Sequence, residues 1–159
     1  IIGMLNNCIK HNFNAIQFCP KYLNDINARH KLNNPDLIKQ VRKIVRDNDI
    51  KIFTHACYCF KFTSKNDYYL KLTIDNIIDD LELNDSIGGL GTIIHLGSNK
   101  DRKLNYIDIV VDNILEVVKV MREKKIKYKF IIENLSHEGS KITWHVNELI
   151  EIWNKLNKN

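Results

Sequence analysis

The chain lacks the features that mark membrane, secreted and linker-rich proteins. No apolar run approaches the roughly 20 residues of a membrane span. The four cysteines form no C-x-x-C pair and no secretory signal precedes them, so we expect a reduced, soluble, intracellular protein (cytoplasmic or nuclear) without a disulfide framework. No low-complexity linker or second domain interrupts the sequence.

The composition is that of a globular domain with a modest excess of positive charge. The chain has 159 residues, of which 44% are hydrophobic and 27% charged. Lys and Arg total 24 against 19 Asp and Glu, which gives a net charge of +5. Such an excess favours polyanions such as DNA or RNA, through phosphate contacts and counterion release. It does not identify a partner alone, because Lys, Asn and Ile are used heavily throughout the chain.

Apolar periodicity alternates between strand-like and helix-like segments along the chain. Strands are predicted over 15–19, 50–55, 91–95 and 128–133. Helices are predicted over 4–11, 35–47, 67–83 and 106–124, with a last helix carrying Leu149 to Leu156. This alternation is typical of a parallel sheet with helices outside it.

Three of the predicted strands end on a side chain that can bind a metal: His55, His95 and Glu133. The intervals between them are nearly equal, about one strand-plus-helix unit of a (β/α) barrel. Active sites of such barrels lie at the carboxyl ends of the strands, so these side chains are predicted to converge on one metal ion. We predict an α/β fold, a partial (β/α) TIM barrel of about four of the eight units, because 159 residues fall short of the roughly 250 of a closed barrel.

Each of the three residues also has a purely structural interpretation. A single histidine at a strand end is more often a hydrogen-bonding residue than a ligand, and a strand-end glutamate is more often the partner of a lysine. A buried imidazole or carboxylate is costly unless it is paired or ligated. Because all three occur on consecutive units, we favour a zinc site.

The segments around these residues resemble the successive signatures of the endonuclease IV family, the zinc-dependent TIM-barrel apurinic/apyrimidinic endonucleases. The matching segments are His55-Ala56-Cys57-Tyr58, His95-Leu96-Gly97-Ser98, Ile131-Ile132-Glu133-Asn134 and, for the second strand, Asn14-Ala15-Ile16-Gln17-Phe18. The order and spacing match over nearly the whole chain, so 1–159 is interpreted as an incomplete barrel domain, roughly strands two to five of that family. The chain also opens on Ile1 rather than on Met, in keeping with a missing upstream segment.

The resemblance implies both a reaction and a set of site residues. His55, His95 and Glu133 correspond to zinc ligands, and Glu133, the candidate catalytic residue, bridges two ions of a three-metal cluster of which one complete site is present here. The implied reaction is hydrolysis of the DNA phosphodiester 5′ to an abasic site, in base-excision repair. Tyr58, Lys21 and Tyr22 correspond to loop positions near double-stranded DNA, although an ordinary loop role is as plausible for Tyr58 and is favoured for the other two.

Two other functions stay open at this point. A metal-dependent sugar isomerase or epimerase barrel also carries His and Glu at its strand ends. The other is a non-catalytic remnant that only binds nucleic acid, an interpretation favoured by the absence from this segment of the family's other metal ligands. The segment alone is expected to be inactive and to expose the edges of its sheet, whereas the full-length protein is expected to be a monomer that does not associate with membranes.

Overall fold

Four parallel strands alternate with five helices in the computed structural model, which describes residues 1–30, 32–100, 105–137 and 139–158. The elements are α1 (Ile2–Lys10), β1 (Ala15–Phe18), α2 (Pro35–Asp47), β2 (Lys51–His55), α3 (Asp67–Ser86), β3 (Gly91–Ile94), α4 (Tyr106–Glu123), β4 (Lys129–Ile132) and α5 (Val146–Leu156). The strands form one sheet in the order β1-β2-β3-β4, all parallel. The predicted α/β fold, four βα units of a TIM barrel, is confirmed.

Side-chain caps explain where several helices begin. Asn34 accepts hydrogen bonds from the backbone N–H groups of Asp36 and Leu37, and Pro35 occupies the first helical position of α2. Asn66 caps α3 in the same way by accepting from the N–H of Tyr69. The helix α3 extends to Ser86, three residues beyond its predicted end at Leu83. Ile87, directly after the helix, is fully buried, so the apolar face continues past Leu83.

The core lies between the sheet and the helices in two clusters. The larger packs α3 and α4 against β3 and β4 through side chains that include Ile77, Leu81, Ile94, Val110 and Val117. The smaller packs α1 and α2 against β1 and β2, through side chains that include Leu5, Val41, Val45 and Ile52. Truncation of such a buried Leu or Ile to Ala costs roughly 2–5 kcal/mol, so these faces hold the strands in position.

A buried polar brace joins α3 to the two central strands. The Asn84 amide donates to the Gly91 carbonyl oxygen (2.9 Å) and to Thr54 Oγ1 (3.2 Å). Thr54 in turn shares a 2.8 Å hydrogen bond with Thr92, its partner in the strand register. Gly91 is required at the start of β3, since a Cβ there would lie 2.5 Å from the Lys129 carbonyl oxygen. These contacts fix the spacing of β2, β3 and β4.

In the part of the chain that the structure describes, β1 and β4 are the outer strands and no further strand pairs with either. An apolar groove runs along β4 and α5, lined by Phe130, Ile132, Leu149, Trp153 and Leu156 among others. Trp153 is 64% exposed there. Among the described helices, none combines the length and the apolar character needed to cross a bilayer.

Candidate metal centre

The strand register brings His55, His95 and Glu133 to one edge of the sheet. His55 is the last residue of β2, and the other two directly follow β3 and β4. The Ala56 N–H donates to the Ile93 carbonyl and the Glu133 N–H to the Ile94 carbonyl, so the hydrogen-bond ladder continues into the site. The three side chains therefore project from the carboxyl ends of adjacent parallel strands.

The three side chains meet at a single carboxylate oxygen. Nε2 of His55 and Nε2 of His95 each lie 3.1 Å from Glu133 Oε2. The two imidazole rings are 4.9 Å apart between centroids and nearly perpendicular. All three donor atoms lie within 4.8 Å of one another, close enough to bind one ion after small side-chain adjustments.

The hydrogen bonds of His55 show that the site fits a cation. Its Nδ1 lies 2.8 Å from the Ala56 carbonyl oxygen, and because a carbonyl only accepts, Nδ1 carries the proton. In the neutral imidazole, Nε2 then presents a lone pair toward the Glu133 carboxylate, which is also an acceptor. A cation between them satisfies both groups, and a backbone carbonyl on the far nitrogen is the usual support of a zinc-bound histidine.

Electrostatics favour the neutral, ligating form of His95. Its pKa is lowered mainly by burial, while its hydrogen bond to the Glu133 carboxylate acts in the opposite direction. A neutral imidazole is the form that binds a metal.

Tyr58 covers the two imidazoles from the solvent side. Its ring stacks on His95 at 4.6 Å between centroids and 12° between planes, and meets His55 edge to face at 5.2 Å. The Tyr58 N–H donates to the Leu23 carbonyl, which ties this loop to the loop after β1. Tyr58 is nevertheless 45% exposed, so part of its ring is accessible to a ligand at the site.

The neighbouring Cys57 belongs to the packing of the site. The residue is buried and its thiol donates to the Leu23 carbonyl oxygen at 3.0 Å. Burial raises the pKa of Cys57 to about 12, and its contact with Cys59 adds to this shift. A thiol that stays protonated is a poor metal ligand.

The two predicted DNA contacts in the loop after β1 have different environments. Tyr22 is 65% exposed, which agrees with a contact to a large ligand. Lys21 is buried, and its ammonium lies 2.8 Å from Asp79 and 3.2 Å from Asp80. This geometry gives Lys21 a structural role, attaching the loop to α3, and does not support its predicted contact with DNA.

His30 completes this ion-pair cluster, which no pattern in the sequence predicts. Its Nε2 lies 2.7 Å from Asp80 Oδ1 and 3.3 Å from Asp79. His30, Asp79 and Asp80 could by distance hold a metal ion, but the Lys21 ammonium already forms ion pairs with both carboxylates. The partners are about 50 residues apart in sequence, so local periodicity carries no signal for this contact.

The parallel sheet with helices outside it is part of a (β/α) barrel, and its carboxyl edge holds side chains that could bind a metal ion. The chain matches the Xylose isomerase-like TIM barrel family over residues 5–159 and belongs to that family. No curated protein sequence matches it significantly.

Solved structures give the same fold with different activities. Endonuclease IV from Thermus thermophilus matches with a TM-score of 0.74 at 18% identity, over 94% of this chain and 52% of that one. A D-tagatose 3-epimerase-like protein matches with 0.70 at 21% identity (96% and 55%), and an L-ribulose 3-epimerase with 0.72 at 12% identity (98% and 51%). The chain spans about half the length of these structures, and identities this low establish the fold alone.

Proposed function

We propose that this chain is part of a zinc-dependent endonuclease that hydrolyses the DNA phosphodiester 5′ to an abasic site, within base-excision repair. The observation that carries the proposal is the convergence of two imidazole Nε2 atoms on one oxygen of Glu133. The motif resemblance around these residues and the net positive charge favour the nuclease over other metal-dependent barrels, and endonuclease IV shares the fold. Because the chain spans half of that structure, the activity is proposed for the whole protein.

The residues of the site have distinct roles in this proposal. His55 and His95 would hold zinc through Nε2, with the orientation of His55 fixed by its hydrogen bond to the Ala56 carbonyl. Glu133 would bind the same ion through its carboxylate, the group on which the two imidazoles converge. Zinc at this site would supply Lewis-acid chemistry and activate water, so no side-chain nucleophile would be required.

Tyr58 is the proposed first contact with DNA. Its ring holds His95 by stacking and leaves an exposed surface beside the ligands. An aromatic ring in this position packs against the sugar or the neighbouring base at the lesion. Tyr22 is proposed to contact the duplex farther out.

Metal content and strand nicking test the proposal together. We expect the chain to bind about one equivalent of zinc, and the full-length protein to nick a duplex with one abasic site and not an intact duplex. His95→Ala should abolish zinc binding and nicking, whereas the control His11→Ala, at an exposed position after α1, should alter neither. A wild-type protein without bound zinc would overturn the metal site and favour the non-catalytic remnant.

A sugar epimerase is the second candidate, favoured by the likeness to the D-tagatose 3-epimerase-like protein and the L-ribulose 3-epimerase. Its discriminating assay is turnover of ketose sugars by the zinc- or manganese-loaded full-length protein. Ketose turnover without nicking of abasic DNA would replace the nuclease by the epimerase.

A further inference from the structure

The loops after β3 and β4 join into a short two-stranded ribbon beside the metal centre. Ser98 and Lys141 form an antiparallel bridge, the Asn99 N–H donates to the Ser140 carbonyl, and the Ile142 N–H donates to that of Gly97. Gly97 has φ of +94°, and a Cβ there would lie 2.5 Å from the Phe60 carbonyl oxygen. The ribbon is therefore packed tightly against the loop after β2, and this packing holds the ribbon backbone in position.

Two lysines of this ribbon stand between two depressions in the surface. Lys100 and Lys141 line both a cavity of about 710 Å³ that includes His95 and Tyr58, and a neighbouring cavity of about 610 Å³ that includes Trp144. Lys61 also lines the first cavity. The described residues that line it thus include three lysines and no carboxylate.

Among the described residues, the second cavity is lined by one acid and by the aromatic rings of Tyr106 and Trp144. The acid, Glu148, accepts a hydrogen bond from the Tyr106 hydroxyl. The indole of Trp144 packs against His137, with 4.0 Å between the ring centroids, and Trp144 stays 41% exposed. Exposed aromatic rings thus flank the two lysines, Tyr58 on the side of the metal centre and Trp144 on the other.

This arrangement of two cations between exposed aromatic rings fits a nucleic-acid strand. Lysine ammonium groups bind phosphate oxygens of the backbone, and an exposed aromatic ring stacks on a base. We propose that the ribbon is a nucleic-acid contact, with a backbone phosphate on Lys100 and Lys141 and a base against Trp144. The inference rests on the proposed function and extends it, because it assigns contacts on the strand away from the scissile phosphate.

A sugar phosphate would share the phosphate chemistry, but it has no base to place on Trp144. The two ligands are separated by fluorescence. The chain has two tryptophans, and Trp153 lies in the groove along β4 and α5, so Trp153→Phe leaves Trp144 as the only indole reporter. We expect an abasic duplex oligonucleotide at low salt to quench Trp144 emission, and inorganic phosphate or a ketose phosphate to leave it unchanged.

Salt dependence of oligonucleotide binding tests the lysines. The double variant Lys100→Gln/Lys141→Gln should reduce the steepness of log K against log salt by about 0.9, because the protein no longer binds that one phosphate. The control Lys39→Gln/Lys43→Gln removes equal charge from exposed positions on α2 and should leave the slope unchanged. Trp144→Ala should weaken binding by roughly 5- to 100-fold, and Trp144→Phe should restore most of it.

Two outcomes would overturn the inference. One is an equal decrease of slope in the ribbon and control variants, which would indicate general charge attraction. The other is Trp144 emission that no oligonucleotide changes, or that a ketose phosphate changes equally. Circular dichroism melts of each variant exclude unfolding as the cause. Zinc binding and nicking are measured separately from the ribbon contact. The ribbon contact can therefore be refuted while the proposed endonuclease activity is supported, and the activity can be refuted while the contact is supported.

Discussion

Replacing Gly91 by alanine should separate the strands that carry two of the metal ligands. The added Cβ would lie 2.5 Å from the Lys129 carbonyl oxygen and 2.9 Å from both Lys129 Cβ and Ile131 Cδ1. Ordinary contact begins near 3.4 Å, so β3 and β4 must part by about 0.9 Å, the difference between 3.4 and 2.5 Å. The nearest atom belongs to the backbone and cannot swing away as a flexible side chain would.

The expected cost is at the upper end of the range for overpacking, about 3 kcal/mol. For a chain of this length, each kcal/mol lowers Tm by roughly 2–4 °C, so Gly91→Ala should melt about 6–12 °C below wild type. Zinc affinity should fall as well, because His95 and Glu133 follow these two strands and metal–ligand distances tolerate only about 0.2 Å. Thermal melts followed by circular dichroism and a competitive zinc titration measure the two effects.

Gly3→Ala is the matched control. Gly3 lies in α1 with nothing within 4 Å of its added Cβ, so alanine there should stabilise the helix by up to about 1 kcal/mol. If Gly91→Ala melts at the wild-type temperature and binds zinc equally well, then strand spacing does not determine the geometry of the site.

Three further predictions concern single side chains. Glu133→Gln should weaken zinc binding at least 100-fold with little loss of stability, since the amide keeps the shape of the carboxylate but loses its charge. Cys57 has a pKa raised from 9.0 to about 12 in the fold, so the unfolded chain loses this proton first and stability should fall above pH 9, by at most about 1.4 kcal/mol per pH unit. Lys21→Met should cost roughly 3 kcal/mol, because it removes a buried cation from Asp79 and Asp80.

Each of these predictions has its own check. A cobalt-substituted Glu133→Gln protein with the wild-type visible spectrum would remove Glu133 from the ligand set. Cys57→Ala should flatten the decline in urea stability between pH 9 and 11, and an unchanged slope would assign the decline to other groups. Lys21→Met should leave the salt slope of DNA binding unaltered. A drop of about 0.9 would return Lys21 to the DNA contacts that the family resemblance implies.

The alternation of strand-like and helix-like apolar periodicity is enough to predict the fold, because the buried face of each helix and strand requires apolar residues at a regular spacing. The strand ends follow from the same pattern, so it places His55, His95 and Glu133 at one edge of a parallel sheet. Contacts between distant loops are different. The bridge between Ser98 and Lys141 and the pairing of Lys21 with Asp80 depend on how loops fold over the sheet, and no local period reports them.

Tyr58 combines a position that the sequence predicts with a contact that the sequence does not predict. Its motif indicates a position near the metal ligands, but stacking on His95 depends on the path of the loop, which the hydrogen bond from Tyr58 to Leu23 holds. The resemblance that predicts a DNA contact carries no information on this second role.

The three candidate metal ligands lie at the carboxyl ends of β2, β3 and β4, which are hydrogen-bonded neighbours in the sheet. A cation held by them links three successive βα units and requires neither β1 nor any strand beyond β4. Loading of this ion can therefore precede closure of a barrel during folding. In that order of events the proposed zinc ion would support assembly before it supports catalysis, and a shortage of zinc would reduce the yield of folded protein as well as its turnover.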